Sequence, residues 1–144
     1  MGTRIEAAYA LAAHGPRKPT ARGLADAAAR ACLARAGRAP RDVDVLINTG
    51  VYREDNMGEP ALAALIQEDI GANLGEPPAG GHGTFSFDLP NGPCGVISAI
   101  RLEAGLLHSG VIRLGAILPS AASPSLRSAP YVPGTGPFAS SRTQ

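Results

Sequence analysis

The sequence predicts an α/β fold built on a mostly parallel sheet with helices on both faces. Three observations carry that expectation. Segments with strand-like and helix-like periodicity alternate in the order β-α-β-α-β-α-β, which requires crossovers between parallel strands. The run from Asp42 to Gly50 (DVDVLINTG) is compact, apolar and closed by small residues, as a strand buried on both faces would be. The chain has 144 residues, 44% of them hydrophobic and 17% charged, enough to bury one core of ordinary domain size.

Each element has a local reason. Thr3 to Leu11 alternates Ile5 and Ala7 against Arg4 and Glu6, a first strand, which Pro16 to Pro19 break. Thr20 is placed to cap a helix over Ala21 to Ala36 that Gly37 ends. Leu24, Ala28 and Cys32 with Leu33 make its apolar stripe. Pro60 stands where a second helix begins, Leu62, Leu65, Ile66 and Ile70 follow at helical spacing, and Gly71-Ala72-Asn73 stops it. Residues 74–83 read as a loop and Thr84 to Leu89 as a strand. The third helix, Pro93 to Ser109, carries apolar residues on two sides and is expected to be buried on more than one face. Val111 to Leu118 reads as a fourth strand. Residues 1–118 thus form the folded unit, and 119–144, dense in Pro, Ser and Gly and free of acids, read as an irregular tail.

Composition excludes several classes. No run approaches the roughly 18 apolar residues of a membrane span, and the N-terminus lacks a signal-peptide core, so no membrane is expected. Cys32 and Cys94 are too few for a disulfide framework and suit a reducing cytoplasm. Residues 1–41 carry eight Arg or Lys against two acids, while 42–118 carry three Arg against ten acids. With aromatics at 4%, the basic segment reads as a solvated helix face and no nucleic acid is expected. The Gly-rich stretch 71–83 matches neither a dinucleotide fingerprint nor a P-loop, and no His/Cys/Asp spacing suggests a metal. Glu54, Asp55 and Glu59 precede a helix start and are expected to serve its dipole. Tyr52 and Met57 read as surface-loop residues that could line a pocket.

Phe85 to Gly110 (FSFDLPNGPCGVISAIRLEAGLLHSG) is the stretch with chemical content. A strand ends, a Pro/Asn/Gly turn follows, and Cys94 falls in the first turn of an apolar helix. Unpaired N–H groups and the positive end of the helix dipole there favour a thiolate, so Cys94 is the candidate nucleophile. The alternative is a small buried hydrophobe.

This stretch, together with DVDVLINTG and GEPALAALIQEDIGAN (58–73), resembles the N-terminal half of the thiolase superfamily, nearest the beta-ketoacyl-ACP synthase III branch. The resemblance covers most of residues 3–118. It implies that Cys94 attacks an acyl thioester of CoA or acyl carrier protein, holds the acyl group and passes it to a carbon nucleophile made by decarboxylation. A His and a second His or Asn from a C-terminal half would assist, and no bound cofactor is implied. It also implies a homodimer paired through the strand at 111–118, or a complementing second half. The family's spacing from Asp88 and from Ser109 lands on Pro93, one residue before Cys94. His14, His82 and His108 do not stand at the positions of the family's bases. Full condensation is therefore not expected of this chain alone. The alternatives are a non-catalytic thiolase-like interaction subunit, a truncated gene product, and a generic flavodoxin-like binding domain.

Overall fold

A computed structural model describes residues 2–12, 20–51, 59–77, 79, 81–121, 134–135 and 138–142. Strand β1 (Thr3–Ala8) and a two-residue strand β2 (Leu11–Ala12) precede helix α1 (Ala21–Ala36). Then come β3 (Val45–Asn48), α2 (Leu62–Ile70), β4 (Phe85–Asp88), α3 (Gly95–Ser109) and β5 (Leu114–Leu118). Beyond 118 lie β6 (Ser120–Ala121), β7 (Gly134–Thr135) and β8 (Phe138–Arg142). Pro16 to Pro19 fall outside the described residues.

The α/β fold is present with helices on both faces. The main sheet runs β1-β8-β5-β3-β4, and β3 lies parallel to both β4 and β5. Every residue of β3 and β5 is buried, which is why both read as unbroken apolar runs rather than alternating ones. On one face α1 and α2 pack Ala25, Ala29, Leu33, Leu62, Ile66 and Ile70 against Leu46, Leu114, Ala116 and Leu118. On the other, α3 places Ala99 and Leu107 against Val45, Ile47 and Ile117. Successive side chains of a strand point to opposite faces, so Val45 and Ile47 serve one helix layer while Leu46 serves the other.

Three expectations need correction. The tail after 118 is not wholly irregular: β8 pairs antiparallel with β1 and with β5. Its sequence, FASSR, is short and polar and carries no period to betray it. The same strand makes half of the main sheet's pairings antiparallel and moves β5 off the edge, so 111–118 offers no free edge for a dimer axis. Among the described residues the edge strands of this sheet are β1 and β4. Third, α3 buries one face only: Ile97 and Leu102 are 63% and 41% exposed.

Helix ends follow local chemistry. Thr20 Oγ1 accepts from Gly23 N–H at 2.9 Å, and Gly37, Gly71 and Gly110 close the three helices in the left-handed conformation. The α2 start differs from expectation, lying two residues after Pro60 with Ala61 at the cap and no acid in its first turn. Glu59 is therefore not its capping residue, and Glu54 and Asp55 lie outside the described residues.

Two arginines, one on α1 and one just after it, are tied to acids. Arg22 grips Asp69 on α2 through two hydrogen bonds of 2.5 and 2.6 Å, and Arg38 grips Glu6 on β1 at 2.8 and 2.6 Å. The hydrogen bond from Arg22 holds the Asp69 carboxyl below the usual carboxylate range. A depressed carboxylate stabilises the fold above its unfolded value and loses that contribution as pH falls through the folded one. Both side chains are partly exposed, so Asp69→Asn is expected to cost about 1 kcal/mol or less at pH 7. In urea titrations the gap between variant and parent should close below about pH 4.

Candidate functional site

The carboxyl ends of β3, β4 and β5 converge with the start of α3, the place where parallel α/β sheets gather ligands. Asn91 begins the turn into the helix. Its carbonyl accepts from the Cys94 N–H at 3.0 Å, closing a 3₁₀ turn over Gly92–Cys94, and its amide donates to Ser98 Oγ at 3.0 Å. The fixed φ of Pro93 suits that tight turn. Cys94 is consequently the residue that caps α3, one position ahead of the first helical turn where it was expected. Its side chain is exposed rather than packed in hydrocarbon. The positive end of the 15-residue helix α3 lies beside it, and the Gly95 N–H that opens the helix donates to the Gly92 carbonyl of the preceding turn.

Gly95 explains how the helix comes so close to the sheet. A β-carbon at that position would sit 3.1 Å from Thr49 Cβ, 3.3 Å from Thr49 O and 3.5 Å from Leu89 O. The helix is seated directly on the residues that follow β3 and β4.

Beneath that seat runs a polar network missed by motif reading. Asn48, fully buried, donates from Nδ2 to Asp88 Oδ1 at 2.9 Å. Its Oδ1 accepts from Gly50 N–H and from Ser120 Oγ, both at 3.1 Å. Asp88 in turn accepts from the Leu62 and Ala63 N–H groups at 2.8 and 2.9 Å, capping α2 from 26 residues away. One signal was available: a polar Asn closing an otherwise apolar buried strand must satisfy its amide inside the protein. Thr49 Oγ1 is buried and has no hydrogen-bond partner among the described residues.

The other flagged residues do not join this site. His82 lies at the opposite ends of the strands, where Nδ1 meets Asp44 Oδ1 at 2.6 Å and Nε2 meets the Arg113 guanidinium. Asp44 also accepts from the Arg113 and Leu114 N–H groups, so His82 completes a clamp between the segments entering β3 and β5. His108 occupies the last turn of α3, about 20 Å along the helix from Cys94. His14, Tyr52 and Met57 lie outside the described residues. Cys32 is buried against Ala7, with its thiol directed at that carbonyl. Among the described residues no group of three His, Cys, Asp or Glu could hold a metal ion, and no helix is long and apolar enough to cross a membrane.

Solved structures place this architecture among known folds. A priming β-ketosynthase of a polyketide biosynthetic pathway superposes with a TM-score of 0.80 at 16% identity, over 99% of this chain and 50% of that one. A Cys-to-Ser variant of Xanthomonas campestris OleA with bound lauric acid and lauroyl-CoA gives 0.78 at 16%, over 99% and 57%. Cerulenin-bound OleA of the same organism gives 0.76 at 15%, over 99% and 57%. The chain has the fold shared by part of these proteins and spans about half their length. No protein-family model matches the sequence, and no curated protein matches it.

Proposed function

We propose that this chain is a thiolase-like half, of the beta-ketoacyl-ACP synthase III type, whose Cys94 accepts an acyl group from a CoA or acyl-carrier-protein thioester. The observation that carries the reading is the exposed thiol at the amino end of α3, beside the carboxyl ends of the parallel strands β3, β4 and β5. In the transfer, the Cys94 sulfur forms a bond to the thioester carbonyl carbon, the bond from that carbon to the carrier sulfur breaks, and the thiol proton leaves with the carrier. Carbon–carbon condensation needs a base and a donor of hydrogen bonds to the developing oxyanion. His82 and His108 supply neither at this end of the sheet. A complementing half or a second copy would provide them, and the exposed Ile97 and Leu102 of α3 offer it an apolar surface.

Intact-mass spectrometry after incubation with an acyl-CoA tests this. The expected result is a single acyl adduct, lost in Cys94→Ala and kept in Cys32→Ala. A protein that stays unmodified while a working condensing enzyme is acylated defeats the reading. A second reading, a non-catalytic thiolase-like interaction subunit, is favoured by one observation: Cys94 stands in the 3₁₀ turn ahead of the helix, with Pro93 at the family's nucleophile register. It predicts stable partner binding with no adduct.

A further inference from the structure

We infer that Asp88 is a positioning residue for Cys94, acting through Asn48 to hold the start of α3 in the orientation that acyl transfer needs. The inference rests on the reading of Cys94 as acyl acceptor. A helix start is ordinarily capped by a Ser, Thr, Asp or Asn at its own N-cap. α2 has Ala61 there, and the acceptors come instead from Asp88, the last residue of the strand that leads to Cys94.

That carboxylate has a second duty. Its Oδ1 takes the Asn48 amide, whose own oxygen is fixed by Gly50 N–H and Ser120 Oγ. Donor on one side and acceptor on the other leave the Asn48 amide a single orientation. The backbone continues the chain of constraint. Leu89 N–H donates to Asn48 O at 2.8 Å, and Thr49 N–H donates to Leu118 O at 3.1 Å. The Leu89 and Thr49 carbonyls are the atoms against which Gly95 sits. One carboxylate thus locks the ends of β3 and β4 and the start of α2 around the turn that carries the thiol, and Ser120 extends the lock past β5. One residue of helix is about 100° of rotation, so a seat that slips re-aims the sulfur.

Timed alkylation with iodoacetamide, read by peptide mass, tests the assignment on the full chain. Cys32, 2% exposed, reports unfolding in the same sample. In Asp88→Asn the expected result is Cys94 alkylation about threefold slower, the scale of a lost helix-terminus contribution, with Cys32 still protected. A purely structural role would instead leave the Cys94 rate unchanged while Cys32 becomes reactive, and either that or a faster Cys94 overturns the assignment. Should Asp88→Asn fail to fold, Ser120→Ala decides by the same criterion, since it loosens Asn48 and leaves the α2 cap in place. An unaltered Cys94 rate there overturns the assignment. A parent protein that alkylates at Cys94 but never takes an acyl group defeats the acyl-acceptor reading alone, because the alkylation comparison still judges Asp88.

Discussion

Truncation after residue 137 is expected to abolish the cooperative thermal transition of this protein. The strand removed, β8, is not an ornament on the edge: it lies between β1 and β5, pairing five positions of β1, with a register shift between Ile5 and Ala7, and four of β5. Each backbone hydrogen bond contributes about 1 kcal/mol net, and a buried donor or acceptor left without a partner costs more. Losing a shared strand therefore approaches the roughly 5–15 kcal/mol that keeps a domain folded at all. β1 would lose its only described strand neighbour, and β5, buried along its whole length, would present a free edge inviting intermolecular pairing. Circular dichroism melts and size-exclusion chromatography should show a broad, low transition with soluble aggregates. A truncated chain melting within about 2 °C of the parent would remove β8 from the structural account, since 1 kcal/mol already moves a domain of this size by several degrees.

The same strand marks where sequence reasoning stops. Buried elements write themselves plainly: the apolar run ending in Asn48 and the caps Thr20 and Gly37 each have a local cause, and each element sits within a few residues of its expected place. β8 has no such cause. FASSR owes its strand conformation to two neighbours far away in sequence, β1 some 130 residues back and β5 some 20 back. A strand held by pairing rather than by its own apolar alternation leaves little local trace. The open face of α3 shows the converse. Apolar residues on both sides of a helix state that two faces want cover, not that the chain itself provides both.

At the site, the Cys94 end was legible because a turn between a strand and an apolar helix fixes which end of the helix the thiol meets. The one-residue displacement was legible too, as a count, but its meaning required the 3₁₀ turn that Asn91 and Pro93 build. Asn48, Asp88 and Ser120 were illegible as a group. They are 40 and 72 residues apart along the chain, and only the parallel register of β4 and β5 on β3 brings them together. Asp88 could be seen as the end of a strand and Asn48 as a polar intruder; neither fact names the other as its partner.

Gly50→Ala should be among the most destabilising single substitutions the chain can bear. An added β-carbon would stand 1.7 Å from the Ser120 carbonyl oxygen and 2.7 Å from its carbonyl carbon, contacts with backbone that no side-chain rotation relieves. The neighbours have nowhere to retreat. Ser120 is fully buried with its hydroxyl donated to Asn48, and Gly50 N–H is donated to the same Asn48 oxygen. Relief means prising the end of β3 from β6, which breaks those two hydrogen bonds and unseats the amide that holds Asp88. Overpacking plus the lost hydrogen bonds gives about 3 kcal/mol or more, with a fall in Tm on the order of 10 °C. Gly105→Ala is the matched control, since that glycine lies within α3 with open space around its α-carbon. It should gain about 0.5–1 kcal/mol from helix propensity alone. Urea denaturation of the two variants side by side therefore predicts midpoints moving in opposite directions. Equal midpoints would mean that β3 and β6 do not approach as closely at Gly50 as the site's construction requires.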